Sequence, residues 1–212
     1  MKTILFDLDG TLIDSTDAIL ESFGVAYDTF GHVAPEDDTI KKLIGHPLDV
    51  MFMMLGVSAF EANDYVAAYK EHYRLISRQK TTLLPLAREA IERASRIATL
   101  GVVTTKTARY SEELLEHMGV MHHFKVLIGR ESITHPKPHP EPIQKALQVL
   151  DKEAMHTWMI GDTPMDLISA KEAGVEGIGV LCGYSTHAEL LVHTKNILPD
   201  AFSAVKWIEE HR

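Results

Sequence analysis

Lys2-Thr3-Ile4-Leu5-Phe6-Asp7-Leu8-Asp9-Gly10-Thr11 is the stretch on which the fold turns. Ile4-Leu5-Phe6 is a short apolar run of the kind that forms a buried strand. It stops at two carboxylates one residue apart, then a glycine and a hydroxyl. Asp7 and Asp9 are thereby placed at the C-terminal tip of a strand. Two carboxylates that close repel unless a cation sits between them. A hard cation such as Mg²⁺, bound by few protein oxygens and by substrate phosphate, is the usual resolution. The stretch therefore suggests phosphoryl transfer to an aspartate.

Outward from that strand, the pattern from residue 86 alternates helix and strand. Helices are expected over 86–95, 110–118, 142–150 and 167–173, with Gly119 and Gly174 as stops. Strands are expected over 97–103, 124–128, 157–160 and 177–181, and the tail from Asp200 is amphipathic. Apolar strands alternating with helices predict an α/β fold, a Rossmann-like parallel sheet with helices on both faces. Between the first strand and residue 86 the pattern is helical only, over 18–30, 39–44, 48–55 and 59–79. Ser15, Thr16 and Asp17 offer N-caps, and Gly45-His46-Pro47 breaks the second segment from the third. The cluster Val50, Met51, Met53, Met54 and Leu55 reads as the core of a small helical bundle. The expected organisation is a core domain of residues 1–14 and 81–212, with a helical domain of residues 15–80 inserted after the first strand.

Composition narrows the function. The 212 residues carry a net charge of −9 with no dense Lys/Arg block, which argues against nucleic-acid binding. No apolar run approaches bilayer length, so no membrane partner is expected, and the N-terminus shows no signal-peptide pattern. The only cysteine, Cys182, excludes an intrachain disulfide and fits a cytoplasmic location; after Val180-Leu181 it reads as a small buried hydrophobe. An anionic substrate gains nothing from the global field, so any attraction is local, from a metal, a lysine or helix N-termini.

Reactive clusters recur near strand ends, where open α/β sheets bind ligands. They are Asp7-Leu8-Asp9-Gly10-Thr11, then Val102-Val103-Thr104-Thr105-Lys106, then Thr134-His135-Pro136-Lys137-Pro138, and Ile160-Gly161-Asp162-Thr163-Pro164-Met165-Asp166. In order and spacing this set resembles the haloacid dehalogenase superfamily of phosphohydrolases, over essentially the whole chain. Within it, Asp-Leu-Asp-Gly-Thr-Leu-Ile-Asp-Ser, Val-Val-Thr-Thr-Lys and Pro-Lys-Pro-x-Pro-Glu-Pro look most like the phosphoglycolate phosphatase and pyrophosphatase branch. The helical insert corresponds to that family's α-helical cap.

The resemblance implies a Mg²⁺-dependent phosphatase acting on a small phosphorylated metabolite (phosphoglycolate, pyrophosphate or a sugar phosphate) through an aspartyl-phosphate. Asp7 would be nucleophile and metal ligand, and Asp9 general acid–base, its backbone carbonyl also on the metal. Asp162 would bind metal, and Asp166 would act through a coordinated water or orient Lys137. Thr104 and the backbone N–H of Thr105 would hold the phosphoryl group, with Gly10 counted beside them. Lys137 would neutralise both Asp7 and the transferring group, with Lys106 a second-ranked rival. Thr11 is expected to hold the turn. His46, between cap helices, is a candidate for touching substrate. His122-His123 and His135/His139 lack the spacing of a helical zinc pair and have no partner cysteines, so they are not read as a transition-metal site.

A phosphomutase of β-phosphoglucomutase type would share all four motifs, and a non-catalytic phospholigand-binding protein would normally have lost one. Two departures from the family concern loop geometry: no glycine precedes the strand at Ile97, and His135-Pro136 stands before Lys137 where a small residue is common.

Overall fold

In the computed structural model, which describes residues 2–211, the chain forms eight strands and ten α-helices among those residues. In chain order they are β1 (Lys2–Phe6), β2 (Ile13–Asp14), α1 (Thr16–Thr29), α2 (Asp37–Lys41), α3 (Leu48–Met54), α4 (Ala62–Lys80), β3 (Thr82–Leu83), α5 (Ala87–Ala94), β4 (Ala98–Val103), α6 (Ala108–His117), β5 (Phe124–Ile128), α7 (Glu141–Leu150), β6 (Thr157–Gly161), α8 (Pro164–Glu172), β7 (Glu176–Val180), α9 (His187–Leu191), β8 (Ile197–Leu198) and α10 (Ala201–Glu210). The chain divides into two compact units, Met1–Asp14 with Leu83–Arg212, and Ser15–Thr82.

The first unit is the α/β body. Six of its strands form a parallel sheet ordered β5-β4-β1-β6-β7-β8. Strand alternation sends Ile4 and Phe6 to one face and Leu5 to the other. Ile4, Phe6, Val102 and Ile160 pack with Ile91 of α5, Leu115 of α6 and Val205 of α10. Leu5, Val103 and Met159 pack with Ile143 of α7 and Ala170 of α8. The sheet is thus buried on both sides, which is why its strands read as continuous apolar runs rather than alternating ones. Chain order reverses between β1 and β6, the place where open α/β sheets bind ligands.

The second unit is built of α1–α4 and closes around aromatic rings. Phe23 of α1 and Phe52 of α3 are fully buried with ring centroids 4.6 Å apart, and Tyr27 meets Tyr65 of α4 edge-on at 5.2 Å. The methionine cluster splits rather than forming the core as a block. Met51 is buried beside Phe52, whereas Met53 and Met54 are exposed, because a seven-residue helix offers only one face to the bundle.

Among the described residues no helix is long and apolar enough to cross a membrane. The remaining differences from the sequence reading lie at element ends and in short elements. The helix expected over 167–173 begins at Pro164, because Thr163 and Asp166 start it. Strands of two residues, such as β2, β3 and β8, are too short to show any period.

Candidate active site

Three adjacent strands deliver the site. Asp7 follows β1, Thr104 follows β4 and Asp162 follows β6, each the first residue beyond its strand. Asp7 N–H donates to Ile160 O at 2.9 Å, which fixes the turn out of β1 against β6. Lys137 arrives from the loop between β5 and α7, and Asp166 from the first turn of α8.

These groups meet in the interior. Asp7 and Lys137 are each 4% exposed, and Asp162 and Asp166 are fully buried. The Lys137 ammonium donates to Asp7 Oδ1 at 2.8 Å, to Asp166 Oδ1 at 2.5 Å and to Val103 O at 3.0 Å, which uses all three of its protons. The other Asp166 oxygen accepts from Thr163 N–H at 3.1 Å and Thr163 Oγ1 at 2.6 Å. Asp162 Oδ1 accepts from Thr11 Oγ1, and its Oδ2 from Tyr184 N–H, both at 2.9 Å. Thr11 therefore does more than hold its own turn: it ties that turn to Asp162.

Asp7, Asp162 and Asp166 each offer a carboxylate oxygen within 4.8 Å of the others. One ammonium faces three acids, and that imbalance governs their protonation. Burial, with the charge of Asp166, pushes the Asp7 carboxyl up to about 7 although Lys137 opposes it. Burial and then the charges of Asp7 and Asp166 hold Asp162 well above the usual carboxylate range. Lys137 is held above its ordinary value: burial pulls it down, and the charges of Asp166 and Asp7 outweigh that. A buried acid cluster with a deficit of positive charge fits a further cation.

Asp9 lies outside that cluster. Lys106 grips its carboxylate through both oxygens, at 3.1 and 3.0 Å. Lys106 is therefore the partner of the second acid and leaves Lys137 as the counter-charge of Asp7. Thr104 is buried, its N–H bonded to Ile128 O and its Oγ1 accepting from Lys106 N–H at 3.2 Å; Thr105 beside it is half-buried. His46 belongs to the helical unit, half-buried between α2 and α3, where burial pushes its imidazole pKa down.

Two glycines shape the rim. Gly10 has φ +82° and a Cβ there would strike the Asp162 carboxylate. Gly183, in the loop after β7, is equally close to Asp162, and with Tyr184 it was not expected from the sequence. No motif marks Gly183-Tyr184, and only the strand order brings that loop beside β6. Cys182 is half-buried against the core, and its Sγ donates to Gly10 O at 3.4 Å.

A carboxylate held by a buried lysine, with two further buried acids beside it, stands at the carboxyl ends of a parallel sheet, where open α/β sheets bind ligands. Residues 4–180 match the family described as haloacid dehalogenase-like hydrolase, and the chain belongs to that family. A protein named "Probable phosphatase IndB" from Dickeya dadantii is 31% identical over 95% of this chain and 90% of its own. A protein named Pyrophosphatase PpaX from Oceanobacillus iheyensis is 33% identical over 85% of this chain and 83% of its own. Among solved structures, a haloacid dehalogenase-like family hydrolase from Streptococcus pneumoniae superposes with a TM-score of 0.88 at 26% identity, covering 98% of each chain.

Proposed function

We propose that the chain is a Mg²⁺-dependent phosphatase that hydrolyses a small phosphorylated metabolite through a phosphoryl group carried on Asp7. The observation that carries this reading is the triple engagement of Lys137. One buried ammonium orients Asp7 and joins it to Asp166, in a cluster that still lacks positive charge.

An Asp7 oxygen attacks phosphorus, and the bond from phosphorus to the leaving oxygen breaks. Asp9 gives its proton to that oxygen. Asp9 then takes a proton from water, whose oxygen attacks the phosphorus on Asp7, releasing inorganic phosphate and restoring the carboxylate. Thr104 Oγ1 and the N–H of Thr105, with Gly10 beside them, hold the phosphoryl oxygens. Lys137 offsets charge on Asp7 and on the transferring group. Asp7, Asp162 and the Asp9 carbonyl would hold Mg²⁺, with Asp166 supporting through Lys137 or a water; the bound ion would neutralise developing charge on the phosphoryl oxygens. Lys106 keeps Asp9 aimed.

The helical unit Ser15–Thr82 is proposed as the cap that selects the substrate, with His46 as its first candidate contact. Pyrophosphate is a substrate to test because a relative bears that name; phosphoglycolate and sugar phosphates complete the panel. A single half-buried cysteine suits a reducing cytoplasm. The test is a hydrolysis screen of that panel with Mg²⁺. Turnover of at least one small phosphate compound, lost on chelation, is expected, whereas a flat screen would return the chain to the class of phospholigand-binding proteins.

A further inference from the structure

The spacing of His135 and His139 spoke against a transition-metal site, but the structure brings Glu141 to them, so the loop that delivers Lys137 carries a second cluster of metal-ligating side chains, outside the acid cluster. His135, His139 and Glu141 each offer a ligand atom, and these lie within 4.8 Å of one another. The imidazoles of His135 and His139 are 4.7 Å apart between centroids. His135 Nδ1 is 2.9 Å from Glu141 Oε2, and Glu141 N–H donates to His139 Nδ1 at 3.1 Å. His135 is 63% exposed at its side chain and Glu141 28%, so the cluster opens to solvent and an ion can enter without unfolding anything. Two histidines and a glutamate are a donor set that zinc uses with a fourth position left for water. Imidazole also suits nickel and copper, whereas Mg²⁺ prefers oxygen.

Glu141 is held ready for this. Its Oε1 accepts from Thr134 N–H at 2.7 Å and its Oε2 from His135 N–H at 2.8 Å. Those two N–H bonds hold the Glu141 carboxylate in place beside both rings.

We propose that His135, His139 and Glu141 form a binding site for a divalent transition metal, and that filling it slows catalysis by shifting Lys137. The two histidines bracket Lys137, in a turn closed by His139 N–H on Pro136 O at 3.0 Å. Drawing both rings onto one ion moves the backbone between them. Lys137 has no slack, since its three protons are already committed to Asp7, Asp166 and Val103. Misplacing a positioned group by about 1 Å can cost two orders of magnitude in rate.

The test titrates Zn²⁺ into untagged protein under saturating Mg²⁺, following binding by calorimetry and turnover in parallel. Wild type is compared with the double variant His135→Ala/His139→Ala, with Glu141→Gln, and with His122→Ala/His123→Ala as a control for the other adjacent pair. Circular dichroism confirms that each variant is folded. Wild type and the control should bind one more Zn²⁺ than the double variant, and Glu141→Gln should bind it more weakly. Zn²⁺ at that site should lower kcat about tenfold or more with little change in KM, and the double variant should escape this. Identical isotherms for wild type and double variant would overturn the site. A lost equivalent with unchanged inhibition would overturn the coupling to Lys137. Only the turnover arm rests on the phosphatase reading, so a flat substrate screen leaves the binding arm to decide the site by itself.

Discussion

Asp9 and Asp162 differ in what holds them, and the difference sets what each substitution does. Asp9 is gripped by Lys106, so Asp9→Asn would remove the proposed proton transfer while leaving a side chain of the same size. Loss of a general acid–base is expected to lower kcat by roughly 10²–10⁴-fold with KM little changed, measured by steady-state hydrolysis. An unchanged kcat would take Asp9 out of that role. Gly183→Ala acts through geometry, because the added methyl collides with the Asp162 carboxylate. It should raise the Mg²⁺ concentration needed for half-maximal rate while leaving the fold intact, read from a metal titration. At this scale Asp7 and Asp162 were legible in the sequence, because each is the first residue past an apolar strand, with Asp9 two residues beyond Asp7. Gly183 and Tyr184 were not, because their tie to Asp162 spans 22 residues and depends on the order of strands. Lys137 was expected to meet Asp7 and does, with Lys106 expected only as its rival; that Lys106 meets Asp9 instead is decided by how its loop folds back.

The helix α8 couples stability to the site. Thr163 caps it and holds one Asp166 oxygen, while the other oxygen holds Lys137. Thr163→Ala is expected to cost about 0.5–2 kcal/mol, the usual loss for an N-cap, and also to lower kcat because Asp166 is released. Ile143→Ala in α7 leaves a cavity under the sheet and is expected to cost about 2–5 kcal/mol with kcat unchanged at temperatures where the protein stays folded. Denaturant unfolding and kinetics on the same samples separate the two. Equal effects on kcat would mean that the cap does not act through Asp166. Long elements were legible because both helix and strand periods repeat within them. The start of α8 was misplaced by three residues although the signal was present. Thr163-Pro164-Met165-Asp166 has an N-cap, a proline at the first helical position and an acid in the first turn.

At the scale of the molecule, the buried acids make stability depend on pH. Asp7 is pushed up to about 7 and Asp162 is also raised, so between about pH 4 and 7 the metal-free folded state binds more protons than the unfolded chain. Stability present at low pH is then lost as pH rises through that window. Lys137, raised above a value already near 10.5, adds no slope there. Metal-free protein should therefore melt at a lower temperature at pH 8 than at pH 5.5. At one fixed concentration Mg²⁺ should restore more at pH 8, where the acids are ionised and its Kd is lower; a hundred times Kd corresponds to about 2.7 kcal/mol. Calorimetric scans at the two pH values, with and without Mg²⁺, check this, and a metal-free Tm that rises with pH would count against a cation-demanding cluster. The α/β body and its buried faces followed from the apolar runs, whereas the strand order, and with it the reversal point, did not. Specificity did not, because helical periodicity fixes which face of a helix is apolar and leaves open what its loops meet. The central claim is that Asp7 carries the phosphoryl group. It is tested most directly by hydrolysis of p-nitrophenyl phosphate with saturating Mg²⁺, comparing wild type with Asp7→Asn shown to be folded. Wild type should turn over and the variant should show no detectable turnover; near-wild-type turnover by Asp7→Asn would remove Asp7 from that role.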